Sequence, residues 1–476
     1  MENYDLIIIG TGSAMNYINP IIDLNPEIRV AVIDKDEPGG ICLTRGCIPS
    51  KILLYPAELI RELETASIFG IELEIKDIDF LAIMERMRRK IGEDIEAIRK
   101  GLAENPYLDY YHESAEFISP YTLKIGEKTL HSEMIFLCIG SKPAIPPIKG
   151  LEEAGYLTSD TVLKLTECPK KLAILGGSYI AAEYGHFFSA MGTEVTVIGR
   201  NPQFLPQEEP EISRLARRKM SEYMKVITNH EAIEVRKEEN GQKTVIAKER
   251  NSRQEVKITV DEVLVATGRA PNTDILHPER AGIKTDIEGW ILVNEYLETS
   301  QPNIWAFGDA NGKYLLKHVG NYESGIDYLN AILKEKVKAD YHAVPHAVFS
   351  HPEIAGVGMK EQEAIEKYGE ERILIGLKFF EDTAKGSAME LRDYFVKVIL
   401  DAEADKILGA HIIGPQASVL IHQIIPLMYT ELRSPAPIMR AMDIHPSLSE
   451  VVTRAFYSRL PPEHYHHLLK HIGLDD

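Results

Sequence analysis

Gly39-Gly40-Ile41-Cys42-Leu43-Thr44-Arg45-Gly46-Cys47-Ile48-Pro49-Ser50-Lys51 is the stretch on which the rest of the chain turns. Its two cysteines stand five positions apart, too far for a Cys-X-X-Cys redox pair, and no histidine or second cysteine pair lies near enough in sequence to complete a zinc set. The residues that follow, from Lys51 through Ile-Leu-Leu-Tyr-Pro-Ala-Glu-Leu-Ile-Arg-Glu-Leu-Glu64, read as a helix. In a regular helix, positions i and i+5 hold their Cα atoms roughly 8–9 Å apart. A disulfide bridges at most about 7 Å. A Cys42–Cys47 bond therefore demands a distorted first turn, and a distorted disulfide is easily reduced. A purely structural disulfide would be out of place in a chain with four cysteines and no secretory signal. Spacing alone leaves open the alternative of two separate buried thiols.

The flanking residues decide between these. Gly-Gly-Ile-Cys-Leu-Thr-Arg-Gly-Cys-Ile-Pro-Ser-Lys resembles the active-site motif of the class I pyridine nucleotide–disulfide oxidoreductases, two-cysteine flavoproteins that include dihydrolipoamide dehydrogenase, glutathione reductase, mycothione reductase and mercuric reductase. The ending Cys47-Ile48-Pro49-Ser50-Lys51 is most similar to dihydrolipoamide dehydrogenase. The resemblance runs to about Leu460. It implies an α/β fold with two Rossmann-like nucleotide-binding domains, one for FAD and one for NAD(P), and a C-terminal α+β dimerisation domain. The implied divisions are 1–149 with 265–338 for FAD, 150–264 for NAD(P), 339–460 for dimerisation and 461–476 for a tail.

Bulk properties agree with that outline. A length of 476 residues suggests about three domains. Hydrophobic content of 44% is ordinary for a globular protein. The longest apolar runs are strand-sized, such as Leu6–Ile9, so no membrane span is expected. Met1-Glu-Asn-Tyr-Asp5 lacks the basic and apolar regions of a signal peptide, which points to the cytoplasm. A net charge of −19, from 53 basic and 72 acidic residues, should repel nucleic acid and anionic lipid.

Near the N-terminus, Tyr4–Ile9 reads as a strand leading into Gly10-Thr11-Gly12-Ser13-Ala14-Met15. Strand, glycine turn and helix make a dinucleotide cradle. The first glycine allows the tight turn, and the second lets backbone approach a pyrophosphate at the helix N-terminus. The next strand, Arg29–Ile33, ends on Asp34, a carboxylate suited to ribose hydroxyls. Met15 replaces the third glycine, and Pro20 should kink or shorten the helix. Residues 52–118 carry amphipathic stretches, notably Phe80–Ala103, that read as surface helices without chemistry. Thr122–Ile125 and Met134–Leu137 read as strands, the second leading into Cys138-Ile139-Gly140 and a proline cluster that resembles the family's exit from the FAD domain.

A second nucleotide unit follows. Lys171–Leu175 leads into Gly176-Gly177-Ser178-Tyr179-Ile180-Ala181, with the small residues Gly176, Ser178 and Ala181 at the glycine positions. The resemblance makes Tyr179 the gate over the flavin and Glu183 the acid that pairs with Lys51. Lys51 lies one helical turn after Cys47 on the same face, where a cation favours a thiolate. Coenzyme choice is read at Gly199-Arg200: NAD-specific members of the family carry a glutamate at Gly199. NADP-specific members carry two arginines; Arg200 matches the first, and Pro206 stands where the second belongs. This leans towards NADPH.

Further on, Gly268 and the Gly308-Asp309 turn resemble the family's second connection and its ribityl-binding carboxylate, and Leu315-Leu-Lys-His318 continues towards the flavin. The resemblance thus implies that FAD is bound by Gly10, Gly12, Ser13, Asp34, Gly40, Lys51, Gly140 and Asp309. It implies that NAD(P)H is bound by Gly176, Ser178, Tyr179, Ile180, Glu183, Arg200 and Gly268. Strands from Val344–Gly358 and Tyr394–Leu400 resemble the dimerisation sheet, ending in Ile444-His445-Pro446 with Glu450 four residues on from the proline. Pro446 should start a helix whose Glu450 orients His445 as catalytic base. The catalytic set is then Cys42, Cys47, Lys51, Glu183, His445 and Glu450, shared across a homodimer. The tail's histidines are read as part of a solvated segment or short packing helix, with no metal site.

The substrate this implies is a dihydrolipoyl group on a carrier protein, with a small-molecule disulfide of the mycothione or glutathione type as the alternative. Mercuric reductase fits less well because no cysteine follows Cys168. A flavin-binding partner protein without turnover would need none of the catalytic set.

Overall fold

The computed structural model describes residues 1–474; Asp475 and Asp476 of the tail lie outside the described residues. Leu6–Ile9 is buried along its whole length and forms the middle of a five-stranded parallel sheet. The strand order is Ile304–Ala306, Ile135–Leu137, Leu6–Ile9, Val30–Ile33, Leu108–Tyr111. Its central strands are continuous apolar runs because both faces of a parallel sheet are covered. After the glycine turn, Ser13–Tyr17 is 3-10 helical, and the α-helix Ile18–Leu24 is only seven residues long. Pro20 sits in its first turn, where a missing N–H leaves no helical bond unmade. The helix is shortened, as its proline predicts.

A second parallel sheet orders Lys225–Ile227, Glu194–Ile198, Lys171–Leu175 and Glu262–Val265. A three-stranded antiparallel sheet, His230–Lys237, Lys243–Glu249 and Glu255–Val260, stands beside it. The chain enters and leaves this region through two short strands, Ser141–Pro143 and Arg269–Pro271, paired antiparallel. The C-terminal region is a six-stranded antiparallel sheet: Pro345–Val348, Ile354–Gly358, Lys406–Ile413, Phe395–Asp401, Ile373–Phe379 and Arg459–Leu460. Among the described residues no helix is long and apolar enough to cross a membrane.

The tail forms a packing helix, Pro462–His471. Its inner face docks on a buried ionic cluster. Tyr465 Oη donates to Glu211 at 2.5 Å, and His466 Nε2 meets Glu361 at 2.7 Å. At the centre lies Lys397, fully buried, with its ammonium 2.6 Å from Glu211, 2.7 Å from Glu361 and 3.4 Å from Glu209. Burial works against the charge on Lys397, but Glu211, Glu209 and Glu361 outweigh it and raise its pKa. Removing the cation strands three buried carboxylates. Lys397→Met should therefore cost about 3–5 kcal/mol of stability, read as a lowered denaturation midpoint in equilibrium unfolding. An unchanged midpoint would mean the cluster relaxes around water.

Candidate active site

The predicted distortion between the cysteines is a break between two helices. Gly40–Arg45 is helical, Gly46 departs to φ −128°, ψ −116°, and the next helix runs Cys47–Glu64. Gly46 allows the break because a Cβ there would lie 2.9 Å from the Ile41 carbonyl oxygen and 3.2 Å from the Cys42 Cα. The break leaves Cys42 in the first helix and Cys47 at the start of the second, both lining one cavity and each a free cysteine. The Cys47 thiol is lowered to about 7, first because Cys42 donates to it and then, against the effect of burial, because the Lys51 ammonium faces it. The same hydrogen bond, together with burial, pushes Cys42 up.

Lys51 Nζ donates to both carboxylate oxygens of Glu183, at 2.9 and 3.0 Å. Glu183 is buried in the helix Tyr179–Ala190 and also accepts the Phe349 backbone N–H at 3.1 Å. The ammonium lies 4.6 Å from the centre of the Phe349 ring. One salt bridge thus joins the cysteine helix to the second nucleotide unit and holds the cation beside the thiols.

On the cradle side, a Cβ on Gly10 (φ +108°) would fall 2.2 Å from the Cys138 carbonyl oxygen, and one on Gly40 (φ +70°) would fall 2.6 Å from the Gly12 Cα. Only glycine fits these close approaches. Asp34 Oδ2 accepts from the Thr11 amide at 2.8 Å and its hydroxyl at 2.5 Å, while Oδ1 accepts the Asp36 amide at 3.0 Å. The carboxylate therefore stitches strand to turn, with acceptor capacity left for a sugar hydroxyl. Asp309 accepts the Ser141 hydroxyl, and Arg269 Nε donates to that hydroxyl at 2.6 Å. Burial raises the Asp309 pKa against Ser141 and Arg269.

A cavity of about 1140 Å³ connects these features. It brings together Gly10, Gly12, Ser13, Asp34, Gly40, Cys42, Cys47, Lys51, Gly140, Tyr179, Ile180, Glu183 and Asp309. Gly176, Ser178, Arg200, Gly268, His445 and Glu450 do not line it. Gly176 (φ +126°) makes the second glycine turn, where a Cβ would meet the Ala266 carbonyl oxygen at 2.1 Å. Ser178 Oγ donates to Gln207 at 3.2 Å, and Gly268 bonds the outgoing connection through Ala144 N–H at 3.0 Å. Arg200 is exposed just past the end of Glu194–Ile198. The structure adds a residue that motif reading missed. Arg250, also exposed, donates to the Arg200 carbonyl oxygen at 3.3 Å, so a second guanidinium stands at that corner. It comes from the end of a strand some 50 residues on, and no local pattern marks it.

His445 Nδ1 lies 3.1 Å from Glu450 Oε1, and its side chain is 65% exposed. The hydrogen bond to His445 leads the causes that lower the Glu450 pKa, with the Ser447 amide and Arg454 adding to it against burial. A carboxylate kept ionised in this way orients the imidazole. The helix does not start at Pro446 as the sequence predicts. It starts at Glu450, which is its first residue. Ser447 and Ser449 bond each other through their hydroxyls, and the Glu450 carboxylate takes the Ser447 amide, so local side-chain bonds replace the first turn.

The model for the pyridine nucleotide-disulphide oxidoreductases matches residues 4–328, and the model for their dimerisation domain matches 344–456. The chain belongs to this family. It is similar to mycothione reductase of Mycobacterium tuberculosis, 34% identical with 96% of this chain and 99% of the relative covered. Dihydrolipoyl dehydrogenase of Chlamydia pneumoniae is 33% identical with 94% and 95% covered, and mercuric reductase of Staphylococcus aureus is 34% identical with 88% and 76% covered. A solved Cu(II) complex of the HOCl-induced flavoprotein disulfide reductase RclA from Escherichia coli superposes with a TM-score of 0.84 at 27% identity, covering 96% of this chain and 99% of that one.

Oxidoreductases of this family use FAD and NAD(P)H, and the dimerisation domain supports a homodimer. The residues present fit FAD: bare glycine backbone at Gly10, Gly12 and Gly40 would hold the pyrophosphate, and Asp34 and Asp309 would accept sugar and ribityl hydroxyls.

Proposed function

We propose that this oxidoreductase reduces a low-molecular-weight disulfide with NADPH. The observation that carries the coenzyme choice is the Arg200–Arg250 pair beside Gly199, at the strand end where an NAD-binding site would offer a carboxylate. Two guanidiniums suit a 2′-phosphate, and a missing acid removes what would hold a free ribose diol. Bound FAD supplies the two-electron step between NADPH and the Cys42–Cys47 disulfide.

The chain's own residues do the rest. Cys42, as thiolate, attacks the substrate disulfide; one thiol leaves and a mixed disulfide forms. His445 of the partner subunit gives the leaving sulfur its proton, held in orientation by its Glu450. Cys47 then attacks the Cys42 sulfur, which releases the second thiol and restores the intramolecular disulfide. Lys51, fixed by Glu183, keeps Cys47 ionised for that step. Tyr179 covers the coenzyme side of the cavity.

A second reading, oxidation of dihydrolipoyl groups on a carrier protein, is favoured by the Cys47-Ile48-Pro49-Ser50-Lys51 ending and by the similarity to dihydrolipoyl dehydrogenases. Steady-state assays of the purified flavoprotein with mycothione, glutathione disulfide and dihydrolipoamide, each with both coenzymes, separate the two. Turnover of dihydrolipoamide with NAD⁺ alone would overturn the first reading. Arg200→Glu should lower the NADPH-to-NADH ratio of kcat/KM about tenfold to a hundredfold, the worth of a charged contact. Arg250→Gln should move it the same way by less. A wild-type preference for NADH would sink the coenzyme assignment.

A further inference from the structure

Residues 203–209 form a strap between the coenzyme corner and the C-terminal sheet. The strap follows the strand Glu194–Ile198 and leads into the helix Pro210–Met220. Within it Leu205 has φ +52°, the left-handed region that a leucine occupies at a steric cost. Such a conformation persists where its neighbours over-determine it, and here they do. The Leu205 amide donates to the Gly177 carbonyl oxygen at 2.7 Å, and the Glu208 amide closes a turn on the Leu205 carbonyl oxygen at 3.0 Å. The Gln203 side-chain amide donates to the Glu208 carbonyl oxygen at 3.1 Å, and the Ser213 hydroxyl donates to that of Phe204.

The next three residues each reach a different element. Gln207 accepts the Ser178 hydroxyl on the second glycine turn at 3.2 Å. Glu208, buried, holds His346 Nε2 through both carboxylate oxygens, at 3.0 and 3.1 Å. Glu209 accepts the Glu361 amide at 2.7 Å and lies 3.4 Å from Lys397. The receiving surface is a row across the C-terminal sheet: His346, Gly356, His411 and Lys397 stand opposite one another in register on four adjacent strands. Gly356 makes room for the row, since a Cβ there would fall 2.5 Å from His346 Cε1 and 2.9 Å from His411 Nδ1. Three residues beyond His346, the Phe349 amide donates to Glu183 at 3.1 Å. One stretch of chain thus takes both the strap and the carboxylate that holds Lys51.

We infer that Glu208 and His346 are a positioning pair for the coenzyme: joined, they hold the strap against the second glycine turn and so set how tightly the nucleotide is bound. The inference rests on the coenzyme site of the proposed function, at the turn that begins with Gly176, and deepens it. A carboxylate on an imidazole, with the carboxylate buried, is a strong tie. Without it the strap loses its anchor on the sheet at the residue next to Gln207. Leu205 is then freer to leave its left-handed conformation, and the contacts to Gly177 and Ser178 loosen with it. The tie acts on the glycine turn, whereas the cation beside the thiols is held separately by Glu183. Affinity for the coenzyme should therefore change while the electron-transfer step does not.

The test is stopped-flow reduction of the flavin in the oxidised holoenzyme by NADPH and by NADH, which needs no disulfide substrate, with FAD content recorded for each variant. Glu208→Gln and His346→Gln should each raise the apparent Kd of the coenzyme about tenfold. The limiting rate of flavin reduction should stay within about twofold of wild type, the signature of lost binding alone. Because both substitutions act through one contact, the double variant should bind no more weakly than the singles. An unchanged Kd in Glu208→Gln, a limiting rate that falls while affinity holds, or penalties that add in the double variant would overturn the inference. If His346→Gln does not retain FAD, Glu208→Gln, which keeps the shape of the side chain, decides alone. A wild-type enzyme reduced more effectively by NADH would overturn the coenzyme assignment of the proposed function, and the same comparison made with NADH then decides the role of the pair.

Discussion

Cys47→Ser should abolish the long-wavelength band of the two-electron-reduced enzyme and lower coenzyme-dependent disulfide reduction on the order of 10³-fold or more, as removal of one member of a nucleophilic unit does. The expectation rests on the break at Gly46, which sets the two thiols against each other, and on Lys51, which faces Cys47 and not Cys42 among the leading influences. Cys42→Ser is the matched control. It removes substrate exchange just as thoroughly, but it leaves Cys47 unable to hide in a disulfide, so the band should stand even before reduction. The wild-type band also has a pH signature. The Cys47 thiol titrates near 7, so the band should fade as pH falls through neutrality and return as it rises. Survival of the band in Cys47→Ser would show that the wrong sulfur has been assigned to the flavin.

The second large effect concerns a site shared between subunits. His445 is mostly exposed and does not line its own chain's cavity, and it sits in the region matched by the dimerisation domain. General acid–base catalysis contributes roughly 10²–10⁴-fold, so His445→Ala homodimers should be nearly silent in disulfide exchange, as should Cys42→Ser homodimers. In a heterodimer of the two mutants, a shared site places both defects on one side and both intact groups on the other. Activity should then return to about half the wild-type value, because one of two sites works. If each histidine served its own chain, neither site in the heterodimer would be complete. A mixture shown by mass spectrometry to have exchanged subunits, yet no more active than the homodimers, would rule out sharing.

Much of the architecture was readable because it depends on local pattern. The runs Leu6–Ile9 and Lys171–Leu175, each followed by a glycine turn, predict the two parallel sheets, since strand period and turn chemistry are properties of consecutive residues. The helix expected over Phe80–Ala103 is observed at Phe80–Glu104. The shortening at Pro20 is likewise local. The helix after His445 starts four residues later than Pro446 suggests, because proline's preference for a helix start competes there with the Glu450 side chain, which bonds the Ser447 amide first. The tail could be read either way, since its inner face becomes a docking surface only where Glu211 and Glu361 are brought together.

By itself, the sequence determined the order of the nucleotide units, the glycines at their turns and the two-cysteine motif, because each is a short-range demand of backbone geometry or chemistry. Only the tertiary structure decided that Asp34 is already tied to Thr11, that Arg250 joins Arg200, and that Glu183 clamps Lys51 beside the thiols. Charge acts through space, with a reach of several ångströms that takes no account of chain separation. Residues about 50 or 130 positions apart — Arg200 and Arg250, Lys51 and Glu183 — become neighbours only when strands and helices have packed.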